Sequence, residues 1–208
     1  MSQSKDVYPH NFSETEFDAE ARPRLAIGLV HYPILDKEKN IVSTNVTNFD
    51  IHDIARAARM YGVEKYYIIH PMEEQLMFVE RVLDHWRTGQ GSKFNPSRKV
   101  ALSRVATASS FAAAFKDWDV PEAMTIATHA KPIEGVDTMG FRQLREAMFV
   151  QKRPCFLLFG TGYGMTDDFM KACTAILEPI RGAPPDDFRH LSVRSAVSIC
   201  LDRIMGSW

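Results

Sequence analysis

Three stretches of this 208-residue chain carry residue types that do chemistry. In the first, Asp50-Ile-His-Asp-Ile-Ala-Arg-Ala-Ala-Arg, residues His52, Arg56 and Arg59 are spaced by four and three, which places them on one flank of a helix. A guanidinium offers a planar fork of donors matched to phosphate or carboxylate, so this flank is a candidate cationic grip. Asp50 stands where a carboxylate caps a helix start. A capped amphipathic helix with solvated arginines accounts for the same spacing. The second stretch, Cys155-Phe-Leu-Leu-Phe-Gly-Thr-Gly-Tyr-Gly, runs a buried strand into Gly160, Gly162 and Gly164. Alternating glycines admit positive φ and close approach of backbone to a ligand. No Gly-Lys-Ser/Thr follows, which excludes a Walker loop, and the glycines are spaced two and two, unlike the dinucleotide fingerprint. Asp167 and Asp168 would repel a pyrophosphate, so a neutral or cationic adenosyl ligand fits better; a tight structural turn is the equal competitor. The third stretch, His190-Leu-Ser-Val-Arg-Ser-Ala-Val, opens a closing helix with small residues that permit close approach, and simple docking on a sheet explains it as well.

These segments need a scaffold. Apolar runs at 25–35, 65–70, 100–107, 124–130, 155–160 and 175–180 read as strands. Helical patterns fall at 50–63, 73–86, 109–118, 137–151, 165–173 and 192–206. Unbroken apolar strands alternating with helices predict an α/β fold with a mostly parallel sheet and helices on both faces. In the first of these helices Ile51, Ile54, Ala55, Ala58 and Tyr61 form the predicted buried face. Ligands of such sheets sit outside the carboxyl ends of the strands, where Thr128 and His129 also fall.

Composition narrows the function classes. The chain is 45% hydrophobic and 25% charged, which excludes a mainly disordered protein. The polar first residues lack the charged start and apolar core of a secretory signal, and no apolar run is long enough for a membrane span, so a cytoplasmic location is expected. Residues 1–22 read as a flexible acidic leader and 23–208 as a single domain. Cys155, Cys173 and Cys200 are far apart, and no His or Cys pair has ligand spacing, so no metal is expected and the cysteines read as packing residues. No GxSxG elbow marks a nucleophile. The net charge of −1 hides an uneven distribution: Lys5 against Asp6, Glu14, Glu16, Asp18 and Glu20 makes the first 20 residues −4, leaving +3 elsewhere. No Asp or Glu occurs between His85 and Lys116, while Arg87, Lys93, Arg98, Lys99 and Arg104 do. Such a strip can neutralise phosphates, though a solvated loop has the same composition.

Taken in order, the three stretches resemble the SPOUT class, the α/β-knot S-adenosylmethionine-dependent RNA methyltransferases. Arg56, then Gly62 six residues later and Val63, resemble the class's first motif; FLLFGTGYG resembles its glycine-bearing second motif and HLSVRSAV its third. With HYPIL and TNFDIHDIARAARMYGV, the match narrows to a bacterial family described as predicted SAM-dependent RNA methyltransferases, over about residues 24–206. Asp50, with Asn48 two positions earlier, replaces a frequent Asn, and His190 replaces another.

The resemblance implies a C-terminal deep trefoil knot, a homodimer formed through the knot region, and a cofactor, S-adenosylmethionine (S-adenosylhomocysteine as product), bound between three loops. Here those loops are Thr128–His129, Gly160–Gly164 with Thr161, and Ile180–Val193, with an adenine slot near Ile180, Leu191 and Val193 and with His190 beside it. It implies direct in-line methyl transfer to a tRNA or rRNA ribose 2′-O or base nitrogen, without metal. Arg56 matches the class's catalytic arginine. Because a guanidinium stays protonated, it suits a phosphate or oxyanion clamp, leaving Asp50, His52 or His190 as proton acceptor. Asn48 and Arg59 are the accompanying substrate contacts. Two other readings stay open: a non-catalytic knot that binds RNA or protein around a vestigial pocket, and a flavodoxin-like nucleotide binder.

Overall fold

The structure, a computed structural model, describes residues 22–206. The expected acidic leader, apart from Arg22, lies outside the described residues. In chain order the elements are β1 (Leu25–Val30), β2 (Ile34–Leu35), β3 (Ile41–Val42), α1 (Asn48–Met60), β4 (Lys65–Ile69), α2 (Glu73–Arg87), α3 (Gly91–Phe94), α4 (Pro96–Leu102) and β5 (Val105–Ala108). They continue with α5 (Phe111–Trp118), β6 (Met124–Thr128), β7 (Thr138–Met139), α6 (Phe141–Phe149), β8 (Cys155–Gly160), α7 (Asp167–Lys171), β9 (Ala175–Leu177) and α8 (Val193–Met205).

Seven strands form one sheet in the order β5-β4-β1-β8-β6-β9-β7, and every pairing within it is parallel. Two-sided burial explains the unbroken apolar runs. Leu25, Ile27 and Leu29 of β1 join Cys155, Leu157 and Phe159 of β8 in one core, against α1, α2, α6 and α8. The alternate residues Ala26, Val30, Phe156 and Leu158 join a second core beneath α5 and α7. A strand's period of two sends neighbours to opposite faces, so both faces require apolar residues. The sheet's middle is tight: a Cβ on Gly28 would lie 2.9 Å from Leu158 Cδ2 and 3.0 Å from Ile69 Cδ1.

Local chemistry shifts several expected boundaries. The run read as a strand at 100–107 is divided, because Asn95 accepts from the Arg98 N–H and Pro96 sits at N1, so α4 runs to Leu102 before β5 begins. The helix read at 137–151 begins at Phe141, since Thr138 and Met139 pair with β9 and Gly140 stands at the N-cap. The strand read at 175–180 ends at Leu177, and Pro179, which has no N–H to give a ladder, follows. At α1 the cap is Thr47, whose hydroxyl accepts from the Asp50 N–H at 3.2 Å, so the cap role expected of Asp50 belongs to Thr47. Ile51, Ile54, Ala55 and Ala58 are buried as expected, while Tyr61 is half-buried and donates its hydroxyl proton to Asp202 at 2.9 Å. Among the described residues, no helix is long and apolar enough to cross a membrane.

Candidate functional site

β8, β6 and β9 are parallel neighbours in the sheet, so their carboxyl ends lie along one edge. Above them lies a cavity of about 740 Å³, within the range of sites for small organic ligands. Its first wall is the turn after β8. Gly162 has φ +54° and Gly164 φ +101°, conformations that side chains rarely tolerate. A Cβ on Gly160 would lie 2.9 Å from the Met165 backbone nitrogen, and one on Gly164 3.0 Å from His129 Cδ2. The turn is anchored rather than loose: Leu35 N–H donates to Gly164 O at 2.9 Å and Tyr163 N–H to Leu35 O at 3.1 Å.

The second wall is the end of β6, where the Thr128 hydroxyl donates to Leu158 O at 2.9 Å and His129 Nδ1 lies 2.8 Å from Lys131 O. The third is the segment from β9 to α8. Ile180, Leu191 and Val193 line the cavity with Leu177 and give it an apolar slot. Glu178 is already engaged, accepting from the Phe141 N–H at 2.6 Å. Arg189 is tied to Asp187 by two donated bonds and to Ala130 O by a third. His190 lines the cavity with its ring 5.3 Å from that of Phe188.

Charge inside the cavity is organised by a pair that the sequence did not suggest. Asp50 is only 4% exposed, and its Oδ1 accepts from Arg194 Nη1 at 2.9 Å. Its Oδ2 accepts from the Thr47 hydroxyl at 2.5 Å. Arg194 also approaches Asp53 at 3.6 Å, so the start of α8 is fastened to the start of α1. Both Asp50 oxygens are therefore occupied. The partners stand 144 residues apart in sequence; the only local hint was a lone cation in the otherwise small and apolar opening of α8.

Beneath the glycine turn runs a polar chain that the sequence reading also missed. The Thr161 hydroxyl donates to Val30 O at 3.3 Å and lies 2.5 Å from the Thr44 hydroxyl oxygen, which lies 3.0 Å from His31 Nδ1. If Thr161 donates to Val30, Thr44 donates to Thr161, and the remaining proton of the chain sits on His31 Nδ1. His31 is fully buried, its Nε2 has no partner, and burial followed by the nearby His70 pushes its pKa down to about 4. His70 accepts from the Met72 N–H at 3.0 Å and lies 3.0 Å from Thr44 O, so its Nε2 carries the proton. Together the imidazoles brace the 43–47 segment against the turn.

Of the residues singled out from sequence, Asp50, Thr128, His129, Gly160, Thr161, Gly162, Gly164, Ile180, His190, Leu191 and Val193 come together around this cavity. Asn48, His52, Arg56 and Arg59 do not line it. Asn48, Arg56 and Arg59 are exposed. His52 meets the Trp86 ring edge-on at 5.6 Å, and burial, then the charge of Arg98, lowers its pKa. Among the described residues, no group of three or more His, Cys, Asp or Glu side chains could hold a metal ion. The chemistry on offer is a glycine-walled cleft with an apolar slot, suited to a flat ring joined to a polar tail.

Comparison with known proteins gives this geometry a family. The profile of a family described as SAM-dependent RNA methyltransferase matches residues 24–206. A tRNA (guanine-N(1)-)-methyltransferase of Nitratidesulfovibrio vulgaris is 36% identical over 99% of this chain and 49% of its own length. The chain thus spans about half the length of that relative. An uncharacterized protein of Aquifex aeolicus is 37% identical, with 86% of each chain covered. Among solved structures, the TrmH/SpoU tRNA modifying enzyme of A. aeolicus shares the fold, with a TM-score of 0.52 and 16% identity over 89% of this chain and 76% of that one.

Proposed function

The chain belongs to the family of SAM-dependent RNA methyltransferases, and from that premise we propose that its cavity holds S-adenosylmethionine while RNA presents the methyl acceptor at the cavity mouth. The observation that carries the reading is the glycine turn: at Gly160 and Gly164 even one methyl group would collide with neighbouring atoms, so bare backbone forms the wall. Gly160, Thr161, Gly162 and Gly164, with Thr128 and His129, would hold the cofactor through backbone groups, and Ile180, Leu191 and Val193 would take the adenine. When bound, S-adenosylmethionine supplies an electrophilic methyl group on a sulfonium.

The protein's share is then positioning, exclusion of water and custody of one proton. His190, at the cavity and free of the ion pair that occupies Asp50, is the better placed proton acceptor. Asp50 positions α8 through Arg194, and His52 acts through α1 rather than at the reacting atoms. Arg56 and Arg59 lie outside the cavity of their own chain, so their part requires a second copy. We include in the proposal the homodimer, the trefoil threading of the 178–192 segment and a cytoplasmic site of action. Exposed Phe49 and Met60, on the same helix as Arg56, favour an α1-centred contact between copies.

Transfer RNA is the first substrate class to assay. The guanine-N1 activity is the name of relatives about twice this length, and the acceptor atom is left open between a ribose 2′-oxygen and a base nitrogen. The test is transfer of labelled methyl from S-adenosylmethionine to tRNA and rRNA taken from cells lacking this protein. Incorporation that falls at least a hundredfold with Arg56→Ala supports the reading. RNA binding without incorporation into either RNA transfers the site to a non-catalytic binding module.

A further inference from the structure

Away from the cavity, the strip without acidic residues between His85 and Lys116 separates into two kinds of cation. Arg87 donates to the carbonyls of Leu102 and Val105, and Arg104 to that of Val63 at 2.5 Å, so both serve as internal ties. Lys93 and Lys99 remain exposed on α3 and α4, and Arg98 lies with its guanidinium 4.3 Å from the centroid of the Trp86 ring. Between the lysines, Phe94 is 85% exposed, a ring held in water at the end of a single helical turn. α4 packs on α1, and the edge of the same Trp86 ring meets His52 of α1. The patch therefore borders α1, whose exposed Arg56 and Arg59 are left to the second copy. Of the acids nearby, Asp53 lies 3.6 Å from Arg194, and Asp84 acts on Arg87.

We propose that α3 and α4 form an RNA-contact surface on which Phe94 stacks against an unpaired base while Lys93 and Lys99 hold the flanking phosphates. A lone aromatic ring among cations is the arrangement that recognises single-stranded nucleic acid: the ring takes the base and the cations follow the backbone. An apolar protein partner would leave the lysines unmatched. The inference rests on the RNA methyltransferase reading and deepens it, by giving this domain its own grip on the substrate outside the cavity.

The experiment is fluorescence anisotropy of the full chain with a labelled twelve-nucleotide uridine strand and with bulk tRNA, across a series of salt concentrations. Phe94→Ala weakens binding of the uridine strand about tenfold or more, while Phe94→Trp preserves it. Lys93→Ala/Lys99→Ala lowers the slope of log affinity against log salt by about 1.4, the release expected from two single-strand phosphates. Unchanged affinity in the first variant and unchanged slope in the second, or absence of RNA binding by the parent, overturns the proposal. S-adenosylmethionine titrated into the same samples keeps the two readings apart. A parent that binds RNA through Phe94 but binds no cofactor upholds this surface and overturns the cofactor assignment alone.

Discussion

Replacing His31 should flatten the acid limb of the stability curve. The imidazole is fully buried and its pKa in the folded protein is about 4, against an ordinary 6.5. Below pH 6.5 the unfolded chain takes up a proton that the folded chain refuses, so stability falls as pH drops through the window from about 6.5 to about 4. Above 6.5 both states are neutral there, and below 4 both are protonated, so the slope vanishes at either end. At about 1.36 kcal/mol per pH unit, that window contributes about 3 kcal/mol, a sizeable part of a domain's stability. His31→Asn keeps a donor near the Thr44 hydroxyl but cannot titrate. Urea unfolding of parent and variant at pH 7, 6, 5 and 4 should give stability differences that close by about 3 kcal/mol toward acid. His70 and His52 also have lowered pKa values, but they remain in both proteins and cancel in the difference. Parallel curves for the two proteins would refute the reasoning, because a buried neutral imidazole cannot leave them parallel.

Other consequences follow from the same geometry. Gly164→Ala places a methyl 3.0 Å from His129 Cδ2 at φ +101°, and should cost about 1–3 kcal/mol in thermal unfolding together with a tenfold or greater loss of cofactor affinity in calorimetry. Arg194→Met strands the buried Asp50 carboxylate without its cation. Because the arginine side chain is 35% exposed, the expected loss in chemical denaturation is about 1–3 kcal/mol, below that of a fully enclosed pair, and Asp50→Asn in the same background should recover much of it. Cys200, with its thiol pushed up to about 12 by burial, and fully buried Cys155 should resist alkylation at pH 8 until the protein unfolds, as timed thiol labelling with mass spectrometry can read.

How much of this was legible in the chain depended on how local the cause was. The sheet could be read because strands buried on both faces are written as uninterrupted apolar runs, as in Leu25–Val30 and Cys155–Gly160. The glycine turn could be read because positive φ selects glycine at particular positions. The 100–107 run misled because Val100 and Val105 suit a strand, while the deciding signals, Asn95 and Pro96, lay just upstream. On α1 the spacing correctly gathered His52, Arg56 and Arg59 on one flank, but helical period does not say which neighbour a flank meets; Trp86 and α4 do. The Asp50–Arg194 pair and the His31–Thr44–Thr161 chain join residues far apart in sequence, and composition and period carry no trace of such contacts. The resemblance supplied the cavity's three walls, and the folded chain brings those walls together.

The central claim is that the cavity above β8 binds the methyl donor. Calorimetric titration of the purified protein with S-adenosylmethionine and S-adenosylhomocysteine tests it most directly, with Gly164→Trp as the blocked control, since a Cβ there already meets Cδ2 of the cavity-lining His129 at 3.0 Å. The account predicts micromolar binding of both ligands near one per chain, abolished in the blocked variant while its far-ultraviolet circular dichroism stays native. A folded parent that binds neither ligand, or a blocked variant that binds as the parent does, would contradict it.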